Sequence, residues 1–487
     1  MVETLLSLGY TFIQVFYLLT FLVMLYFLTR SVNWVVTSKA KEVPEWEYPF
    51  IILFYPVLNE PLAAMETAME GLAKIRYPKG RYRIIAIPNS NDSLTVGYLR
   101  ELAQRFDFLD ILEVPPTTDP SWDVVWSQWE ANGKVYWWHQ GAYARDTALP
   151  PKKTRQLIYA FYTMVQRMGG DFLVDYIDAD SVPPEDHFEA AVAGISVQGY
   201  DVLQATNIAG NLLQTWAATF HALDHLVWDR FIYPHMSSNG THPFWVLGKG
   251  LFYKASDLVA VGGFNPQITI EDPEIGMKLW ANGKKIGIIN NPLIEEVPID
   301  FGRGVTQRKR WICGFFQAVE ATKHMGMSTK GRLLSHLNLI PVLSLIGNAL
   351  GLPLGIWALL GYFNGTNDFT DAVVVISLVN ITSYLLLLVI IYRGIWRSIS
   401  MVLKGTDKVR YMLRINPVFM WLYWLWWIVS IVIGYRMYRK DLGRVWERTL
   451  KIDANRQLVH EKLGLVEVPR QSDMETEGTQ KAAASGD

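Results

Sequence analysis

Phe172-Leu173-Val174-Asp175-Tyr176-Ile177-Asp178-Ala179-Asp180-Ser181-Val182-Pro183-Pro184 is the stretch that decides the fold. Its apolar residues run straight into Asp178-Ala179-Asp180, and two prolines stop the run. The pattern predicts a buried strand that delivers two carboxylates at its C-terminal end. Open α/β sheets bind ligands at the carboxyl ends of their strands. Two carboxylates one residue apart suit a hard divalent cation that also holds a diphosphate. Taken alone, such a pair is equally a loop or a cap. The residues that give it meaning lie downstream: Glu271-Asp272, and the run Gln307-Arg308-Lys309-Arg310-Trp311.

Upstream of this strand the same rhythm repeats. Phe50–Tyr55 reads as an apolar strand ending at Pro56-Val57-Leu58-Asn59-Glu60, and Leu62–Ala73 has helical periodicity. Arg83–Ile87 reads as a second strand, ending in Pro88-Asn89-Ser90-Asn91-Asp92. Strand, helix, strand means βαβ units and a mainly parallel sheet, with the strand ends side by side where a nucleotide would be held. Pro150-Pro151 introduces Lys152-Lys153-Thr154-Arg155 and a helical stretch, Gln156–Met168, before the central strand. Trp122–Gln140 reads as an inserted β-hairpin, because Asn132-Gly133 lies between aromatic, β-prone runs. Its tryptophans suit either packing on the domain or stacking on sugar rings. Val202–Ala205 is a further strand. Gly248-Lys249-Gly250 and Val261–Pro266 are glycine-bearing turns, of the kind that lets backbone approach a ligand closely.

The rest of the chain differs in character. It has 487 residues, half of them hydrophobic, and a net charge of −1, which gives no basic surface for nucleic acid. The single cysteine, Cys313, excludes an intrachain disulfide framework and a cysteine-built metal site. Thr4–Thr29 is uncharged and exceeds the roughly 20 residues needed to cross a bilayer. Arg30, Lys39 and Lys41 follow it, so it reads as an anchor with the next segment cytoplasmic. After Arg332 three further uncharged runs of spanning length follow: Leu339–Tyr362, Ala372–Tyr392 and Ile415–Tyr435. Both flanks of the last run are basic, so both favour the cytoplasm. That run is re-entrant, or a further crossing hides elsewhere, or the charge rule fails at this helix. The expected division is an anchor over 1–47, a cytoplasmic catalytic domain over 48–332, a membrane region over 333–440 and a tail over 441–487, polar and disordered from about residue 468.

In this order, Asp178-Ala179-Asp180, Gly262-Gly263-Phe264 leading to Glu271-Asp272, and Gln307–Trp311 resemble the motifs of family 2 glycosyltransferases of the GT-A type. The resemblance extends to the membrane-embedded group that includes cellulose and hyaluronan synthases, and covers roughly residues 49–317 with the flanking apolar helices. It implies a Rossmann-like, mixed, mainly parallel α/β domain inserted between transmembrane helices. It also implies an inverting sugar transfer from a nucleotide diphosphate, with Mg²⁺ or Mn²⁺ on Asp180 and Asp178. Asp272 would be the base for the acceptor hydroxyl, although Asp272-Pro273 is also what an N-cap before a proline looks like. Glu271, Gln307 and Trp311 would face the acceptor. Glu60, Asn89, Lys153, Asp178 and Arg310 would face the donor, Arg310 as a guanidinium on the diphosphate. Gln307, Arg310 and Trp311 fall on one helical face, which Gly314 continues. The chain departs from the family in carrying Pro88-Asn89 where most members show an acidic pair. A UDP-sugar donor is favoured, but its uracil would meet an amide there. The implied protein is a multi-pass cell-membrane enzyme, with membrane lipids around it and no nucleic-acid partner. The expected acceptor is a growing polysaccharide exported by the same chain. The rivals are single transfer to a membrane lipid and a catalytically retired transport or scaffold subunit.

Overall fold

The computed structural model describes residues 2–140, 148–169, 171–366, 371–440 and 452–464. Most of the tail expected over 441–487, including its polar end, lies outside them. Seven strands form one sheet: β1 Ile51–Val57, β2 Tyr82–Pro88, β3 Leu109–Ile111, β4 Leu173–Tyr176, β5 Val202–Ala209, β6 Leu251–Lys254 and β7 Ile286–Glu295. Their order is β3-β2-β1-β4-β6-β5-β7. Pairing is parallel except on either side of β6, so six strands point to one edge. This is the expected mixed, mainly parallel sheet. Side chains alternate across it: Ile52 and Phe54 of β1 enter the core on one face, Ile51, Leu53 and Tyr55 the core on the other. Every β1 residue is buried, as a parallel strand covered on both faces requires. Phe54 pairs with Tyr176 and Val57 with Pro88, so the chain leaves β1, β2 and β4 side by side.

The insertion at Trp122–Gln140 is not a hairpin. Asp123–Ala131 is an α-helix, and Asn132-Gly133 lies in the turn after it. Trp122, Val125, Trp126 and Trp129 recur at helical spacing, and that face packs on the Lys153–Met168 helix, which covers the sheet; Trp122, Trp129 and Trp138 are all buried. A local turn signal was outweighed by a long-range apolar face. The tryptophans serve the domain core.

Four helices among the described residues are long and apolar enough to cross a membrane: Leu8–Leu28, Thr329–Phe363, Asp371–Ile399 and Pro417–Arg439. The first three form a bundle. Gly347, Gly351 and Gly355 face Tyr17 and Gln14 of the first helix, a small-residue spacing that lets helices approach closely. Three polar contacts cross it: Asn380 Nδ2 donates to Gln14 Oε1 at 2.7 Å, Gln14 Nε2 to the Gly351 carbonyl at 2.9 Å, and Tyr10 shares a 2.6 Å bond with Ser377.

The last apolar helix, Pro417–Arg439, packs differently. It runs beside Phe301–Ala321, the amphipathic helix that carries Gln307–Trp311. Gly434 lies against the Lys309 carbonyl and Ile312, where an added Cβ would come within 2.6 Å of both. Tyr438 donates to Glu320 at 3.0 Å, and Trp216 and Phe220 contact Phe419 and Tyr423. At the centre Arg308 is fully buried. Its Nε donates to Asp224 Oδ2 at 2.8 Å, and its Nη2 reaches the same oxygen. Tyr423 OH donates there at 2.7 Å and Trp427 Nε1 to Asp224 Oδ1 at 3.1 Å, while Trp311, Trp426 and Trp427 surround the guanidinium.

Breaking a buried ion pair by removing one partner costs about 3–5 kcal/mol, whereas removing both is often neutral. Arg308→Met should therefore lower the melting temperature of the solubilised protein markedly, and Arg308→Met with Asp224→Leu should recover most of the loss. Thermal unfolding of the two variants checks this.

Candidate functional site

The site lies along the carboxyl edge of the sheet. β4 ends at Tyr176, and two residues later Asp178 and Asp180 line a cavity of about 340 Å³, together with Glu60 from the end of β1. Asp180 is held from behind: its Oδ2 accepts the Glu296 amide at 2.9 Å, just past the end of β7. The carbonyl of Ala179 is tied down by Tyr55 OH at 2.7 Å. Asp178 Oδ1 accepts from Lys153 Nζ at 2.7 Å. Lys153 opens the Lys153–Met168 helix, donates to the Gly248 carbonyl at 2.9 Å and lies 4.0 Å from Glu271 Oε1. Burial opposes its charge, but Asp178, Glu271 and Asp272 together hold its ammonium above the usual lysine range.

Asn89 is placed differently from the expectation. It is buried at the end of β2, its Oδ1 accepts from Arg155, and it is absent from the cavity wall. Arg155, Lys153 and Thr154 come from one helical turn, and Thr154 Oγ1 donates to Glu271 Oε2 at 3.2 Å. That turn thus braces both the second strand end and the acidic pair.

Asp272 begins the Asp272–Ala281 helix, but its side chain does not cap it. Its Oδ1 accepts from Tyr176 OH at 2.9 Å, which aims the carboxylate into the cavity. Gly248, with φ of +73°, lies directly against it: a Cβ there would come within 2.2 Å of Asp272 Oδ2. The glycine is needed for this contact as well as for its turn. Enclosure by protein and then the neighbouring Glu271 carboxylate push the Asp272 carboxyl well above the ordinary range, with Lys153 opposing. A raised carboxyl on a cavity wall is suited to taking a proton near neutral pH.

Gln307, Arg310 and Trp311 all line the same cavity, as their spacing predicted. Gly314, on that helix face, meets Ile270, two residues before Asp272. Arg310 is buried on the wall and Trp311 half-buried, edge-on to His225. From this polar floor the cavity continues between apolar helices, where Val342, Leu345, Ile391, Met420 and Trp424 line it. One chamber thus joins carboxylates to an apolar shaft.

Between floor and shaft lies a cluster that sequence spacing does not announce. His225 Nδ1 is 2.7 Å from Asp229 Oδ2 and 3.0 Å from Glu295 Oε1; Asn207 Nδ2 donates to Asp229 at 3.2 Å; Lys249 Nζ contacts Glu295. Among the described residues it is the one group of three or more side chains with the spacing of a metal site. A lysine ammonium already lies against one of its carboxylates. Asp178 and Asp180 offer fewer ligands, but both are hard oxygen donors on the cavity. They fit a Mg²⁺ or Mn²⁺ ion whose remaining ligands come from a diphosphate. The i,i+4 spacing of His225 and Asp229 was the one local hint of the cluster; Glu295 and Lys249 are distant in sequence.

A family model described as glycosyl transferase family group 2 matches residues 173–438. A curated relative, a beta-monoglucosyldiacylglycerol synthase of Synechocystis sp., is 23% identical over 284 residues, or 58% of this chain and 50% of the relative. The chain thus spans half the length of that protein. Among solved structures, a mannosyltransferase from Pyrobaculum calidifontis, in complex with GDP-Man and Mn²⁺, is 14% identical with a TM-score of 0.49, over 89% of this chain and 99% of that one. The S. aureus TarS 1–349 structure is 12% identical with a TM-score of 0.35, over 80% and 91%. The family match runs from β4 to the end of the Pro417–Arg439 helix, more than half of the chain, and this enzyme therefore belongs to the family 2 glycosyltransferases.

Proposed function

We propose that the enzyme adds a sugar from a nucleotide-diphosphate donor to a hydroxyl of a membrane lipid. The observation that carries this is the continuity of the catalytic floor with the apolar shaft. Aliphatic walls such as Val342, Leu345 and Ile391 suit acyl chains and offer a sliding glycan nothing to hydrogen-bond. The relative that makes a glucosyldiacylglycerol points the same way. The polysaccharide-synthase reading keeps one specific support, Trp311 on the cavity wall beside Gln307 and Arg310, where a sugar ring could stack. Of the two acceptors that the sequence leaves open, the shaft favours the lipid.

In this reading the acceptor oxygen attacks the anomeric carbon, and the carbon–oxygen bond to the diphosphate breaks. The bonding pair leaves with the diphosphate, the configuration inverts, and the acceptor proton passes to Asp272. Tyr176 and Gly248 hold that carboxylate in place. Arg310 and Lys153 supply positive charge on the donor side, with Glu60 and Asp178 beside them; Glu271, Gln307 and Trp311 face the acceptor. Asp180 and Asp178 would hold Mg²⁺ or Mn²⁺, which when bound neutralises charge on the leaving diphosphate. Asn89 acts through Arg155 rather than on the nucleotide. UDP-sugars remain the favoured donors. Membranes incubated with labelled nucleotide sugars should yield one discrete lipid bearing one added sugar. A labelled polymer would overturn the lipid reading.

The catalytic domain is cytoplasmic in this reading, and three of the four apolar helices cross. The last, Pro417–Arg439, lies along the domain, because both its flanks engage that domain. Before it, Arg414 donates to the Leu213 carbonyl at 3.0 Å and Tyr411 OH to the Thr219 carbonyl at 3.0 Å. After it, the Ile452 and Ala454 amides donate to Glu296 at 2.9 and 2.8 Å, and His460 lies 2.7 Å from Glu70. The intervening sequence carries Asp441, Arg444, Glu447, Arg448 and Lys451, too many charges for a return crossing. Both flanks are then cytoplasmic, as their basic charge requires. A cysteine at Asn364→Cys should react with an impermeant maleimide in intact cells, and one at Glu461→Cys only after permeabilisation. Labelling of the Glu461→Cys variant in intact cells would mean that the last helix crosses.

Asp272 supplies a further test. Its folded-state pKa is raised above the unfolded value of about 3.9. Ionising it therefore costs stability as pH rises from about 4 through the raised value, and the cost persists above. Asp272→Asn should abolish transfer yet melt at a higher temperature than wild type at pH 7–8, the gap closing near pH 4. In the wild type kcat/KM should climb with pH through the raised carboxyl pKa. Thermal melts and a pH–rate profile measure both.

A further inference from the structure

We propose that His225, Asp229, Glu295 and Lys249 form the subsite for the acceptor's head group, and that it takes a neutral polyhydroxyl head rather than a lipid phosphate. The proposal rests on the lipid-directed reading above and narrows it. The geometry starts from position. Lys249 follows Gly248, whose backbone lies against the Asp272 carboxylate, so the cluster begins one residue from the base. His225, Asp229 and Lys249 lie on the cavity wall, and just beyond them the wall turns apolar at Trp228, Leu345 and Ile391. A lipid whose chains fill the shaft presents its head group at this level, with one hydroxyl reaching Asp272.

The chemistry of the cluster then selects the head. His225, Asp229 and Glu295 are each more than nine-tenths buried. Two carboxylates, one ammonium, an imidazole and the Asn207 amide offer acceptors and donors together. A hydroxyl is both donor and acceptor, so it can be matched at every contact. A phosphate accepts only, and here it would face Asp229 on the wall, with Glu295 behind His225 and Lys249, in a low-dielectric setting where like charges repel strongly. Lys249 offers it little, since its ammonium is already engaged with Glu295. Arg310 and Lys153 are the other cations on the cavity wall, and both belong to the donor half. The same cation argues against a divalent metal at this cluster, because an ion would have to displace Lys249. A phosphate oxygen would also be a nucleophile without a base, which leaves the Asp272 arrangement without purpose.

The test uses the purified full chain in nanodiscs with a fixed saturating nucleotide sugar and four acceptors: diacylglycerol, a monoglycosyl diacylglycerol, a polyprenyl phosphate and free glycerol. The wild type should glycosylate one of the two neutral lipids, with the polyprenyl phosphate and free glycerol poor. Asp229→Asn should raise the KM for the neutral lipid by about tenfold or more, as expected for losing a charge-assisted hydrogen bond. The donor KM should move less than twofold. Preference for the polyprenyl phosphate would overturn the proposal while leaving a lipid-directed enzyme standing. Polymer from all acceptors would instead overturn the lipid reading itself. Variants that raise the donor KM, or that lower the melting temperature with both KM values unmoved, would make the cluster a donor or purely structural element. Loss of acceptor saturation reversed by added Mn²⁺ would make it a metal site. The wild-type acceptor panel decides the head-group question even where a variant fails to fold.

Discussion

The buried pair of Arg308 and Asp224 sets the geometry on which the rest of the site depends. Asp224 accepts from Arg308, Tyr423 and Trp427, so one carboxylate joins the helix ending at residue 224, the Phe301–Ala321 helix and the last apolar helix. Among the described residues Asp224 is the carboxylate paired with this guanidinium, which is buried among indoles, and leaving it unpaired would be costly. The Phe301–Ala321 helix is therefore fixed in rotation. Arg308 points at Asp224, and Gln307, Arg310 and Trp311, on a different arc of the same helix, must face the cavity. Membrane-side packing and catalytic geometry are in this way one structural fact: the last apolar helix is held by the same carboxylate that orients the catalytic helix.

A second constraint is electrostatic. Asp178, Glu271 and Asp272 converge on one small chamber with a single lysine among them. Lys153 pairs with Asp178 and opposes, without cancelling, the upward push on Asp272. The chamber thus separates carboxylates into two kinds. Asp178 is paired with a cation, and Asp180 is anchored by a backbone amide. Asp272 has a phenol and a carboxylate neighbour and is left proton-hungry, as suits a base. The same enclosure places Asp272 in one cavity with an apolar shaft.

Much of this was legible in the sequence, for identifiable reasons. Strands that are buried on both faces must be continuously apolar, and the residue at which polarity returns marks the ligand edge; Asp178, Asp180 and Glu60 were found that way. Helical spacing placed Gln307, Arg310 and Trp311 on one face. What failed was local evidence overruled by distant contacts. Asn132-Gly133 reads as a hairpin turn unless the tryptophans on the preceding helix have the Lys153–Met168 helix to cover. Asp272-Pro273 reads as a cap unless Tyr176, 96 residues earlier, donates to the carboxylate. Asn89 follows the second strand, where the resemblance puts a nucleotide-facing acidic pair, but Arg155 of the Lys153–Met168 helix donates to its Oδ1. The His225, Asp229, Glu295 and Lys249 cluster combines three separate stretches of chain, and the i,i+4 spacing of His225 and Asp229 recovers only half of it.

The segment after the last apolar helix shows how far this coupling reaches. The amides of Ile452 and Ala454 donate to the Glu296 carboxylate, and the Glu296 amide in turn donates to Asp180. Thr67 holds Asp453 at 2.9 Å, and Asn455 lies so close to Gly210 that a Cβ there would come within 2.3 Å of it. The orientation of Asp180 rests in part on the backbone amide that it accepts from Glu296. Residues 452–464 add a brace from behind. This brace forms only if the chain returns to the catalytic face after residue 439. The last helix must then bring its C-terminal end back to that face. The basic charge on both its flanks, the Arg308–Asp224 joint and the support behind Asp180 are consequently three expressions of the same requirement.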